Sequence, residues 1–290
     1  MTAIDAKPGT AAHLSPSALL SRNHFVLRRL HSLSGVIPIG MFVCVHLFTN
    51  AQMIWGQDTT TGEGTFQHEV DFIHKMPYLL FIEISLWGAI AFHAILGLFY
   101  TFTGKGNLKH YSYGGNIRYM LQRVTGIIAL VFIFLHIATL RWRWDIFGWY
   151  TPFYGEGYQA AAAVEGGKVP ADLKDVPMSL PLTAYALQFS WVVVVFYVIG
   201  TLSAVFHWSN GLWTAAISWG LTITSGSMKR WGMVCAGMFV ALTAFFSVAI
   251  YAAMTFDFAD MTAEQREMFL LIVEDPAVEI MLPAEADASF

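Results

Sequence analysis

The chemistry open to this chain is carried by four histidines. His46, His93, His136 and His207 lie inside, or at the end of, four successive apolar runs, one in each. An imidazole in such a run has no water to hydrogen-bond. Ionisable groups inside a membrane are costly enough that a functional role is the default reading. Imidazole binds zinc, copper or iron. A zinc or non-haem site would want further ligands, yet no Cys, Asp or second His stands three or four residues from any of the four. Two imidazoles on opposite faces of a flat macrocycle satisfy haem iron. The plainer alternative is four histidines hydrogen-bonded inside a helix bundle.

Depth separates the two readings. At about 1.5 Å per residue, His46 lies roughly 20 Å along a first helix that starts at the basic cluster Arg28 and Arg29. His136 lies similarly far along the third run, which has the same direction. His93 and His207 come late in the second and fourth runs, which go the opposite way. The expectation is two stacked sites, His46 with His136 at the outer level and His93 with His207 at the inner level. Small residues stand near whole helical turns from these histidines: Ser32 and Gly35, Gly97, Thr125, Ser203 and Gly211. They would let a porphyrin edge approach the backbone, or would serve close helix packing. A weak internal repeat, RLHSLSGVIPIGMFVCVHL and MLQRVTGIIALVFIFLHIA, joins the first and third runs through a Ser/Thr-Gly step and a late histidine.

The elements that must position these residues are membrane helices. Of 290 residues, 56% are hydrophobic and only 12% charged, about half the charge of ordinary soluble domains. Spans are expected at about 31–52, 77–102, 119–140, 182–208 and 231–256. They follow a polar segment 1–30 and precede an acidic tail 257–290. Each is near or above the roughly 20 residues that cross a bilayer. The fold class is therefore all-α and integral to the membrane, with the first four of five helices forming a dihaem bundle. Arg22, Arg28, Arg29, Lys105, Lys109, Arg118, Lys229 and Arg230 fall on one side. Arg141, Arg143, Lys168 and Lys174 are spread through one long loop on the other, with Lys75. Long loops weigh less in the positive-inside rule, so the N-terminus is expected in the cytoplasm and the C-terminus outside. No cleaved signal peptide is evident in residues 1–20. Cys44 and Cys235 lie in apolar runs and read as small hydrophobes. The net charge of −4 suggests no nucleic-acid partner.

With FVLRRLHSLSGVIPIGMFVCVHL, IEISLWGAIAFHAILG, MLQRVTGIIALVFIFLH and LSAVFHWSNGLWTAAISWGLTIT in view, the chain resembles the five-helix dihaem cytochrome b subunits of succinate dehydrogenases. The likeness is to the b558 type of Bacillus-like enzymes, with the fumarate reductase membrane subunit a more distant cousin, and it covers about residues 22–255. The family's haem ligands fall on His46, His93, His136 and His207. The resemblance implies two haems b and a complex with a flavoprotein and an iron–sulfur subunit on the cytoplasmic side of the cell's inner membrane. It also implies delivery of electrons to a quinone, usually menaquinone in the dihaem type. Val205 stands where the fumarate reductase cousins carry a glutamate of a proposed proton path, which argues against that path here. The loop 141–180 and the tail after 256 are longer than in close relatives.

Quinone reduction takes up protons as well as electrons. Glu83, within the second span, and Glu69, in HEVDF just before it, are the candidate proton groups. Ionisable groups in such settings are functional candidates. Arg29, His31 and Ser32, with Arg123, are expected near the inner helix starts, where arginine suits haem propionates. Their alternative role is positive-inside anchoring. Two other functions stay open: the cytochrome b of another quinone-linked dehydrogenase (fumarate reductase, formate dehydrogenase or hydrogenase), and a haem-free anchor. A transporter would be expected to show inverted repeats with broken helices, and none is visible.

Overall fold

A backbone placed in lipid must close its hydrogen bonds within each segment, and a helix does so without a partner. The computed structural model describes residues 23–104, 106, 110–140, 173, 175–189 and 191–272, with no strand among them. The first span consists of α1 (His24–Ser34), a π-helical turn at Gly35–Ile39 and α2 (Gly40–Ala51), ending in a 3-10 turn at Gln52–Trp55. The short helix α3 (Thr65–His74) leads to the second span, α4 (Leu79–Thr103), and the third, α5 (Gly114–Leu140). Another short helix, α6 (Ser179–Phe189), precedes the fourth span, α7 (Trp191–Ser218), and the fifth, α8 (Ser225–Thr255). The last described helix is α9 (Ala263–Ile272). All five spans are long and apolar enough to cross a membrane. Their outward side chains stay exposed, with Phe81 at 72%, Ile95 at 68% and Val240 at 64%. Those faces suit lipid rather than water.

Four spans begin at places other than the sequence reading expected. The first and third start at His24 and Gly114 rather than 31 and 119, because long basic side chains can keep their charge in water while the helix runs on. The fifth starts at Ser225, where Thr224 and Ser227 form a reciprocal cap with both bonds at 3.1 Å. The expected start of the fourth near 182 falls in α6, a separate helix. α6 is apolar because Leu182, Ala184 and Tyr185 pack against Phe258, Met261, Met268 and Phe269 of the C-terminal segment, not against lipid. Past His207 the fourth helix continues to Ser218 and closes at Gly220. There a φ of +74° and the bonds from the Gly220 and Leu221 amides to Ile217 and Ala216 form a Schellman end.

The π turn carries Pro38, which lacks an N–H and would clash with the carbonyl four residues back in a regular helix. A π turn takes one extra residue into the ladder. The repeat needs that residue: His46 follows Gly35 by 11 positions, whereas His136 follows Gly126 by 10. At about 100° per residue, a straight first helix would aim His46 about 100° away from the matching direction. The π turn absorbs the difference.

The third span packs along the fourth, the fourth along the fifth, the fifth along the first, and the first along the second. The fifth span fills the side between first and fourth: Leu242 and Phe246 enclose Leu47 and Val205 in one cluster. At the end of the bundle where the first span finishes, α3, α6 and α9 form a cap. Phe66, Val70, Leu180 and Leu187 pack there with Met53, Val193, Ala249, Ala252 and Ala253. Its polar lock is Gln265, fully buried and bonded to Gln57, Thr262 and the Pro177 carbonyl. Gln188 donates to the Ala253 and Phe256 carbonyls at 2.9 and 3.0 Å, satisfying the last turn of the fifth span. Residues 141–172, with Arg141, Arg143 and Lys168 of the orientation argument, lie outside the described residues, as do Lys174, Lys105, Lys109, Arg22 and the tail beyond 272.

Candidate functional site

The four histidines meet in two pairs. His93 and His207 have ring centres 6.1 Å apart with planes at 89°. They lie towards the end of the bundle where the chain begins and are called here the near pair. His46 and His136, the far pair, have ring centres 6.0 Å apart with planes at 73°. An imidazole nitrogen bonds a first-row metal ion at about 2.0–2.1 Å, so two rings on opposite sides of one ion have centres about 6 Å apart. Both pairs fit that spacing. Among the described residues, no group of three or more His, Cys, Asp or Glu could hold a metal ion. The two rings of a pair would therefore suit an ion whose other ligands come from a macrocycle.

Each near ring is held by the neighbouring span. His93 donates from Nδ1 to the His31 carbonyl at 2.9 Å, with Ser34 Oγ at 3.4 Å, and its ring lies against Gly35. His207 donates from Nδ1 to the Gln122 carbonyl at 2.9 Å and lies against Gly126. A carbonyl can only accept, so Nδ1 carries the proton and the Nε2 lone pair is free for a metal. This is the arrangement in which ligating histidines are usually oriented. Around His207 the lock is doubled. Gln122 Nε2 donates back to the His207 carbonyl at 3.0 Å, Asn210 donates to Gln122 Oε1 at 2.7 Å, and Arg118 donates to Asn210 at 2.9 Å.

The far rings are lined differently. His46 stacks with Phe42, at 5.3 Å and 14°, and His136 with Phe132, at 5.6 Å and 28°. In both cases the phenylalanine comes four residues earlier on the same helix, one turn away. The His136 Nδ1 and the Tyr197 hydroxyl are 3.0 Å apart, and Tyr197 lies edge-on to Phe132 as well.

The other sequence candidates take several positions. His31 stacks on His93 with ring centres 3.9 Å apart and sits edge-on to Tyr100 at 5.6 Å. Arg29 donates to the Ser218 carbonyl at 3.3 Å and lies over Phe25, and Ser32 accepts from Trp219 at 3.0 Å. Arg123 instead binds the Thr101 and Gly104 carbonyls at the end of the second span. The expected convergence of these groups is thus divided: Arg29 and Ser32 meet the end of the fourth span, and Arg123 caps the second. The helix macrodipole favours a cation at that C-terminus. Gly97 faces the His31 ring, and Gly211 faces Gln122, so side chains rather than open space adjoin both glycines. Gly35 receives the ring of His93, not of its own helix's His46. Thr125 bonds its own helix at the Leu121 carbonyl, 2.7 Å away, and Ser203 is buried. Glu83 is half-buried on the second span and Glu69 half-buried on α3. Val205 is fully buried in the cluster with Leu47, Leu242 and Phe246.

Sequence reasoning missed Gly126, Gln122, Asn210 and Tyr197. Two signals were present. The Ser/Thr-Gly step recurs in both halves of the repeat, and so does Phe-x-x-x-His, as FVCVH and FIFLH.

No family model matches the chain, and no solved structure matches it. A curated relative does. The chain is 35% identical over 229 residues to the succinate dehydrogenase cytochrome b558 subunit of Bacillus subtilis (strain 168), covering 79% of this chain and 96% of that protein. By that identity and coverage, the chain belongs to the succinate dehydrogenase cytochrome b558 subunit family.

Proposed function

We propose that this chain is the membrane subunit of a succinate:quinone oxidoreductase. It would accept electrons from an iron–sulfur subunit bound beside a flavoprotein subunit, and deliver them to a quinone. His93 and His207 would hold one haem b and His46 and His136 a second. The observation that carries this reading is the pair of ring separations, 6.1 and 6.0 Å, at two levels of one bundle. Haem iron, when bound, cycles between ferric and ferrous and so handles one electron at a time. The chain's own part is to aim the ring nitrogens, keep water out and supply protons.

The near level offers the docking face. Arg28, Arg29, Arg118, Lys229 and Arg230 surround that end, in keeping with a cytoplasmic N-terminus and an extracytoplasmic C-terminus in the inner membrane. Menaquinone is the quinone of the reading, as the family resemblance implies. Protons for the quinone would come from the Glu83 carboxyl, with Glu69 as a second candidate on α3. Glu83 precedes His93 by 10 residues, as Tyr197 precedes His207. Tyr197 reaches the far pair from that position, which supports a far-level role for Glu83. If electrons cross from the cytoplasmic side to a quinone on the outer side, they move with an inside-negative membrane potential, which contributes about 2.3 kcal/mol per charge per 100 mV.

A pyridine haemochrome assay on the purified complex tests the reading. Two haems per chain are expected. One would require a different pairing, and none would leave a haem-free anchor. Quinone reduction in sealed vesicles tests the direction: a rate that ignores membrane potential would rule out transfer to the outer side.

A further inference from the structure

We infer that the first and third spans carry a repeated socket that aims the near-pair histidines, with Gly35 and Gly126 as its positioning residues. The inference rests on the haem reading above and goes beyond the ligands to what orients them. In RLHSLSG and MLQRVTG the two glycines occupy the same place, and so do His31 and Gln122, four residues earlier. His93 donates Nδ1–H to the carbonyl of His31, and His207 to the carbonyl of Gln122, each at 2.9 Å. The same geometry is thus built twice, from unrelated side chains.

Helix geometry explains why glycine is needed at that place. Each Cα–Cβ bond tilts towards the helix N-terminus, so the β-carbon of residue i+4 leans over the carbonyl of residue i. Without it, that carbonyl is open from the side and can accept the ring beside its helical bond and the bond from the hydroxyl at i+3, Ser34 at 2.9 Å and Thr125 at 3.5 Å. A β-carbon at Gly35 would lie 2.5 Å from His93 Cε1 and 2.9 Å from Nδ1. At Gly126 it would lie 2.8 Å from His207 Cε1 and 3.0 Å from Nδ1. An added methyl would push either ring off its carbonyl. The ring would then be free to rotate and would no longer present Nε2 along a fixed line. Among the described residues no glycine lies against a far ring, and the groups beside those rings are Phe42, Phe132 and Tyr197. The socket therefore acts on one level only.

The test is G35A and G126A in the assembled complex, with haem content and a redox titration of the haem spectrum as readouts. H93A marks the wave of the near haem by removing it, and H46A marks the far one. G237A is the control, because a β-carbon there meets nothing within 4 Å. The socket variants should fall from two haems towards one per chain, or keep two with the near wave alone displaced, and G35A should be the more affected. G237A should match the wild type. Two haems with both waves unchanged in G126A, displacement of the far wave, or loss of both haems would overturn the inference. G126A, the milder clash, decides if G35A fails to assemble. A wild-type complex without two waves would refute the haem reading itself, before the socket is in question.

Discussion

The near and far pairs share a ring separation and almost nothing else. At the near level each ring comes from one helix and is held by the backbone of the next, through a carbonyl and a glycine. At the far level the rings come from the first and third spans themselves, and the walls are aromatic: a phenylalanine one turn back on each helix, with Tyr197 across from His136. A carbonyl is a fixed acceptor that no side-chain motion can withdraw. A phenol can rotate, and can donate or accept. One level is thus oriented by main chain and the other by side chains, which makes the far level the easier one to tune by substitution.

The largest effects should come from breaking a pair outright. His207→Ala should remove the near haem, and His136→Ala the far one, each lowering the haemochrome count from two towards one. A variant that loses both would show that the two levels are not independent. Next in size is the register of the first span. Deleting Pro38 shortens the Gly35–His46 interval to that of the third span and removes the reason for the π turn, so both haems should be retained. Deleting Ile128 instead, in the third span, should turn His136 by about 100° and cost the far haem alone. Equal haem contents for the two deletions would break the link between the π turn and the repeat.

A smaller change sharpens the difference in ring partners. Tyr197→Phe removes the hydroxyl beside His136 Nδ1 and should raise the far midpoint potential, because an acceptor at Nδ1–H favours the ferric state. A net hydrogen bond is worth about 0.5–1.5 kcal/mol, and a tenfold change for one electron is 59 mV, so the shift should be at most about 60 mV. A shift of the near wave would count against the assignment. Glu83→Gln, at the matching place on the second span, should slow quinone reduction while leaving both waves in position; an unchanged turnover would remove Glu83 from the proton route. The smallest effect is Thr224→Ala, which loses the cap of the fifth span. It should cost about 1 kcal/mol in thermal unfolding and leave both haem waves where they are.

What the sequence by itself determined is the number of membrane-crossing helices and the level of each histidine. Apolar length sets the first and helical rise sets the second, and neither needs a neighbour. It also held the repeat, although the extra residue between Gly35 and His46 had no meaning until the π turn gave it one. What only the tertiary structure decided is what each ring touches. Spacing along its own helix puts Gly35 on the face of His46, but it receives His93, because packing partners are chosen across helices. Arg123 was expected beside Arg29, yet it caps the second span, since a long side chain goes to whichever carbonyls the fold leaves open. Apart from the glycine four residues on, the sequence marks nothing special about the carbonyls of His31 and Gln122. Every residue has one, and only the approach of another helix to a bare glycine makes these two acceptors for a ligand.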